Sequence, residues 1–179
     1  MMINQRSVLV LAFFFVGMVI AWALGGPFYA IVFMLFWTDR VLFSVFPITK
    51  TLAVEFSALP AIMTGAVKGA GFGFGFTFFS LLIIDFIARF VFKTNPGFSR
   101  IIGFEVIFLS ILAAVGGVFG GIFGPMLGSI ITFAVKELVT IAIKGKLFGS
   151  IDAYFMHSIN FAFNSILFVA LMRIVTMLA

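Results

Sequence analysis

Cysteine is missing from this chain altogether, and charge is scarce, with 9% of residues Asp, Glu, Lys or Arg. The first absence excludes disulfides, thiolate metal sites and cysteine nucleophiles, and leaves the redox compartment open. The second excludes an ordinary soluble domain, in which about a quarter of residues are charged. One histidine, His157, gives no pair of imidazoles for a metal site or a haem. Neither a Walker-type glycine loop nor an H-E-x-x-H segment occurs, and no Ser–His–carboxylate set falls in one local region. An enzyme is therefore not expected, nor a cofactor or a metal. The net charge of +5 comes from basic residues scattered singly; that pattern reports orientation in a membrane, not nucleic-acid binding.

What the sequence has in abundance is apolar bulk. Hydrophobic residues make up 64% of its 179 positions, 28 of them Phe, and the mean hydropathy is +1.32. A chain of this length cannot hide so much apolar surface from water, so its solvent is lipid. The expected fold is all-α: an integral membrane helical bundle of six to seven transmembrane helices, with 1–179 forming a single transmembrane domain.

Residues 7–24 form a run of about full span, longer than the h-region of a signal peptide, and are read as a retained first helix. Gly25-Gly26-Pro27 breaks it, and a second run covers 27–46. A polar stretch, 47–57, leads into an apolar run too long for one span, which Lys68 and its flanking glycines divide into a short helix, 58–67, and a full one, 70–92. Ten residues reach only about 15 Å, so the short helix is expected either to tilt under thinned lipid or to dip and return. Further helices are predicted over 101–119, 121–143 and 153–178, with a glycine turn between the first two. If every segment crosses, Arg6, Lys50, Lys93, Arg100, Lys144 and Lys146 fall on one side and Lys68 and Arg173 on the other. The positive-inside rule then makes the N-terminus cytoplasmic, in a cell membrane.

A shift of 55 residues superposes Gly65, Gly69 and Gly73 on Gly120, Gly124 and Gly128, and Thr77-Phe78 on Thr132-Phe133. Both copies would run the same way across the membrane, as a parallel repeat. Gly116, Gly120, Gly124 and Gly128 recur at every fourth position and predict one bare helical stripe, along which another backbone packs closely. Ionisable groups inside the membrane are costly and face a partner or a cavity. Asp39 and Arg40 are adjacent, so each needs its own partner; Asp85 and Arg89 are four apart and can pair with each other. Lys136-Glu137 lies deep, Glu105 lies near a surface, and His157, Asn160 and Asn164 share one face of the last helix. Such a polar face either joins helices or lines a ligand cavity.

The segment Leu52-Ala-Val-Glu55-Phe56-Ser57-Ala-Leu59-Pro60-Ala-Ile-Met-Thr-Gly65 resembles the stretch of energy-coupling-factor transporter S-components that opens a short helix before a glycine-rich one. Gly120-Gly-Ile-Phe-Gly124-Pro125-Met-Leu-Gly128 resembles their Phe-Gly-Pro-x-x-Gly motif. The order of the segments differs from that family, whose members have six helices. The resemblance implies a transport subunit that binds a small, vitamin-like, water-soluble solute and takes its energy from partner subunits. Glu55, His157, Asn160 and Asn164 are the candidate ligand-binding residues, and Gly65, Gly69, Gly73, Gly116, Gly120, Gly124 and Gly128 the candidate packing and partner surface. The alternative is a non-catalytic subunit of a larger respiratory, secretory or cell-envelope complex. Either reading implies a lipid bilayer and other membrane subunits as partners, and no nucleic acid.

Overall fold

The computed structural model describes residues 5–45, 56–93, 103–148 and 151–178, and all regular structure among them is helical. Helix α1 (Gln5–Trp37) passes through a π-helical turn (Thr38–Leu42) into the short α2 (Phe43–Val45). Then follow α3 (Ala58–Lys68), α4 (Ala70–Phe90), α5 (Phe104–Phe123), α6 (Pro125–Phe148) and α7 (Ile151–Leu178).

Three single glycines fold the chain. Gly26 (φ 75°, ψ −168°), Gly69 (φ 94°, ψ 163°) and Gly124 (φ 82°, ψ 157°) share a backbone region essentially closed to residues with a Cβ. Each reverses the chain. Phe13 stacks on Trp37 at 6.5 Å between ring centroids, though a straight helix would hold them about 36 Å apart. A Cβ added to Gly73 would lie 2.5 Å from Gly65 Cα, and one added to Gly128 would lie 2.4 Å from the Gly120 nitrogen. Pro27 and Pro125 open the returning legs, where a missing N–H costs nothing.

The three turns gather at one end. Lys68 Nζ lies 5.5 Å from the ring centroids of both Phe28 and Tyr29, and a Cβ on Gly117 would lie 2.2 Å from the Ala70 nitrogen. The hairpins on Gly69 and Gly124 also share the 55-residue spacing, the glycines four positions to either side, and fully buried threonines at Thr77 and Thr132. They stand in parallel, as the repeat predicts.

Four helical stretches are long and apolar enough to cross a membrane: Ser7–Leu42, Ala70–Phe90, Phe104–Phe123 and Pro125–Ala142. The first, 36 residues long, is folded in two at Gly26. Large apolar side chains such as Phe15, Val19, Trp22, Phe79, Ile122 and Ile166 are more than half exposed. A protein with this surface is a membrane protein, and lipid covers that surface.

Helix α3 is the centre of the bundle. Its 11 residues span about 16 Å, and every residue from Ala58 to Ala66 is buried among α1, α4, α5 and α6. Its solvent is therefore protein and not lipid. Glycine makes this possible. A Cβ on Gly65 would lie 1.7 Å from the Ala113 carbonyl oxygen, one on Gly116 2.9 Å from that of Ile62, and one on Gly120 2.6 Å from that of Ala66. In lipid, where no hydrophobic drive brings helices together, such backbone approach supplies the packing attraction.

Two sequence expectations need correcting. The turn between the fifth and sixth segments lies at Gly124, so α5 runs on through Gly121 to Phe123. The four-residue glycine spacing thus crosses a chain reversal: Gly116 and Gly120 belong to α5 and Gly128 to α6. Gly69 and Gly124 are turn residues with nothing within 4 Å of an added Cβ. Backbone conformation, not close packing, demands glycine there.

Candidate functional site

At the end of the bundle opposite the glycine turns, charged side chains converge on the start of α3. The π-helical turn carries two of them, Asp39 and Arg40. A π-turn widens the helix and re-aims its side chains, a device frequent at functional sites. Arg40 is the hub, with 10% of its side chain exposed. Its Nη2 lies 2.9 Å from Glu105 Oε1, and its Nη1 donates to Glu105 Oε2 at 3.1 Å. One charge-assisted hydrogen bond and one close ion-pair contact thus tie Arg40 to the first turn of α5. Asp85 Oδ2 on α4 lies 4.0 Å from Nη1, and Asp39 Oδ2 lies 4.0 Å from Nε. Asp39 also accepts a hydrogen bond from the Ser57 hydroxyl, at the start of α3.

Helix α6 brings a second pair. Lys136 Nζ donates to Glu137 Oε1 at 2.7 Å, and each side chain is 3% exposed. The same ammonium lies 5.3 Å from the Phe133 ring centroid, where the face of the ring offsets part of its desolvation. One turn further on, the Thr140 hydroxyl donates to the Lys136 carbonyl at 2.8 Å.

Between these groups lies a cavity of about 320 Å³, lined by Asp39, Ser57, Ala58, Glu105, Phe108, Leu109, Lys136 and Thr140. Carboxylate, ammonium and hydroxyl groups from the π-helical turn, the residue before α3, α5 and α6 thus face one space at this end of an apolar bundle. Asp39, Asp85, Glu105 and Glu137 stand against Arg40 and Lys136, with Arg89 acting on Asp85 from one turn away. The cavity wall itself holds, among the described residues, two carboxylates, Asp39 and Glu105, against one ammonium, Lys136, a negative balance. Among the described residues, no three His, Cys, Asp or Glu side chains are arranged to hold a metal ion.

A third polar group lies on α7. Asn164 is fully buried, and neither its amide nitrogen nor its oxygen has a hydrogen-bond partner among the described residues. An unmet buried amide costs roughly 1–3 kcal/mol, and Asn164 is not among the residues that line the cavity. Helix α7 packs antiparallel on α6, with Phe161 stacked on Phe133 at 6.2 Å. Asn164 is therefore about 4.5 Å further along α7 than the ring that meets Phe133.

The sequence singled out Asp39, Arg40, Asp85, Lys136 and Glu137 separately, and the fold brings them to one end. Asp85 faces Arg40 as well as the expected Arg89. Lys136 and Glu137 pair with each other despite being neighbours in the chain. Glu55 lies outside the described residues, as do the side chains of His157 and Asn160 on α7. Three lining residues went unread as site residues. Glu105 looked like a hydrated surface group and Ser57 like part of a helix start, and Thr140 was not singled out at all; their one available signal was proximity to other polar positions at the same helix ends.

No protein-family model, no curated protein and no solved structure matches the chain.

Proposed function

We propose that this chain is a membrane transport subunit that binds a small water-soluble solute in the polar cavity and depends on partner subunits for energy. The observation that carries the reading is the cavity itself. At about 320 Å³ it has the size of a small-molecule site, and it is lined by charges of both signs within a lipid-solvated bundle. Asp39, Glu105 and Lys136 are each paired, with Ser57, Arg40 and Glu137, and still line a shared space. The negative balance favours a solute carrying a cationic group, alone or as part of a zwitterion, and Ser57 and Thr140 add hydroxyls that can donate or accept. The resemblance of residues 52–65 and 120–128 to S-components points to the same class.

The basic residues favour a cytoplasmic N-terminus in a cell membrane, which puts the cavity at the cytoplasmic end. Exposing it to the other side then requires the bundle to change orientation or shape, and the chain carries no nucleotide-binding loop to drive that change. Partner subunits supply it, and this chain is a binding subunit, not a catalyst.

A second reading, a non-catalytic subunit of a larger membrane complex, draws on Gly71 and Gly75 of α4. They are four residues apart with open space above both, which suits close approach of a foreign helix. Purification from its native membrane in mild detergent separates the two readings. An ATP-hydrolysing pair and a coupling subunit are expected to co-purify; a stable multi-subunit assembly without an ATPase would contradict the transport reading.

A further inference from the structure

Arg40 is held incompletely. Its Nη1 donates to Glu105 Oε2, but Nη2 makes no hydrogen bond although it lies 2.9 Å from Glu105 Oε1, and Nε makes none either. Asp85 has the complementary lack. It is 9% exposed, and its Oδ1 is buried with no hydrogen-bond partner among the described residues. Its Oδ2 stands 4.0 Å from Arg40 Nη1, beyond hydrogen-bond range. The other charged groups acting on Asp85 are Glu105, Arg89 and Asp39. The three carboxylates around Arg40 also differ in their ties to the cavity. Asp39 lines it and accepts a hydrogen bond from Ser57. Glu105 lines it and is 36% exposed. Asp85 is not part of its wall.

We infer, resting on the transport reading, that Glu105 is the carboxylate that takes the cationic group of the solute, and that Asp85 is the second seat to which Arg40 then moves. A solute cation on Glu105 displaces the guanidinium. Left alone, that buried charge would cost several kcal/mol. Asp85 removes the cost, because closing its 4.0 Å gap to a charge-assisted hydrogen bond takes a shift of about 1 Å. Asp39 already holds Ser57, whereas Asp85 Oδ1 has nothing to give up. The exchange trades a tie between the π-helical turn and α5 for one between the same turn and α4. Solute binding thereby changes which helices are joined, a change that partner subunits can read. Asp85 is a positioning residue in this scheme and does not touch the solute.

Thermal unfolding of the full chain in detergent, titrated with ethylammonium chloride against sodium chloride as the ionic-strength control, tests this. Ethylammonium is expected to raise the unfolding temperature saturably, and Glu105→Gln to abolish the rise. Asp85→Asn is expected to weaken the apparent affinity about tenfold, the loss of one charge-assisted hydrogen bond, and Asp85→Glu to restore most of it. An Asp85→Asn chain that unfolds earlier but binds ethylammonium unchanged overturns the inference. So does an unmodified chain that ethylammonium does not stabilise; if another cation or a zwitterion stabilises that chain, the transport reading stands without the exchange. A second measurement needs no solute and keeps both charges, which spares the fold. In a double-mutant cycle of Arg40→Lys and Asp85→Glu, the coupling is expected to be about fivefold larger, as a factor in the folding constant, when Glu105→Gln has released Arg40. Equal coupling in the two backgrounds overturns the inference as well.

Discussion

Arg40 shows how one side chain can order several helices. Its planar fork meets both oxygens of Glu105 and comes within 4.0 Å of Asp85 and Asp39, a reach that the single ammonium of lysine cannot reproduce. Replacing it by leucine would leave three carboxylates around a buried apolar group. Arg40→Leu is expected to lower stability by about 3–5 kcal/mol, read by unfolding in detergent. Glu105→Gln is expected to cost about 1 kcal/mol, because its side chain is 36% exposed and a neutral acceptor remains. Equal effects would mean that Arg40 is not the hub. The glycines divide the same way. Gly124→Ala forces a Cβ into a positive-φ turn and is expected to cost about 1–3 kcal/mol. Gly75→Ala, in a helix with open space around it, is expected to gain up to about 1 kcal/mol. The same unfolding measurement reads both.

The helical hairpin is the unit from which the elements are built. Its legs and breaks could be read from sequence at Gly25-Gly26-Pro27 and around Lys68, since a helix pattern stops where glycine and proline meet. Close approach was legible too, at Gly65, Gly73, Gly116, Gly120 and Gly128. Gly69 and Gly124 were misassigned because a spacing of four looks the same whether the chain continues straight or turns back upon itself. The enclosure of α3 was not legible either: an 11-residue apolar helix reads as too short for lipid until its neighbours are placed around it. The hairpins fix a topology with turns at one end and loops at the other. A cysteine replacing the exposed Lys68 is expected to react with an impermeant thiol reagent outside intact cells. Cysteines at Ser99 and Ser150, which lie outside the described residues, are expected not to. Labelling of the two loop positions from outside, with Lys68→Cys protected, would invert the bundle and place the polar cavity outside.

At the scale of the molecule, the described carboxylates are gathered at one end with Arg40 and Lys136, and sequence showed the ingredients of that cluster but not their meeting. Asp39, Asp85, Glu105 and Lys136 are far apart in the chain, and only the hairpin geometry closes the distance. The face of α7 was legible as polar, and Asn164 is buried on it with both amide atoms unmet. The proposed function rests on whether the cavity lined by Asp39, Glu105 and Lys136 takes a solute. The most direct test is thermal unfolding of the purified chain in detergent against a panel of small water-soluble cations, zwitterions and anions. A solute present at one hundred times its dissociation constant stabilises the folded chain by about 2.7 kcal/mol. A clear rise in unfolding temperature is predicted for at least one cationic or zwitterionic solute, and Asp39→Asn is predicted to abolish it. A panel with no effect on the unmodified chain, or a rise of equal size in Asp39→Asn, would contradict the account.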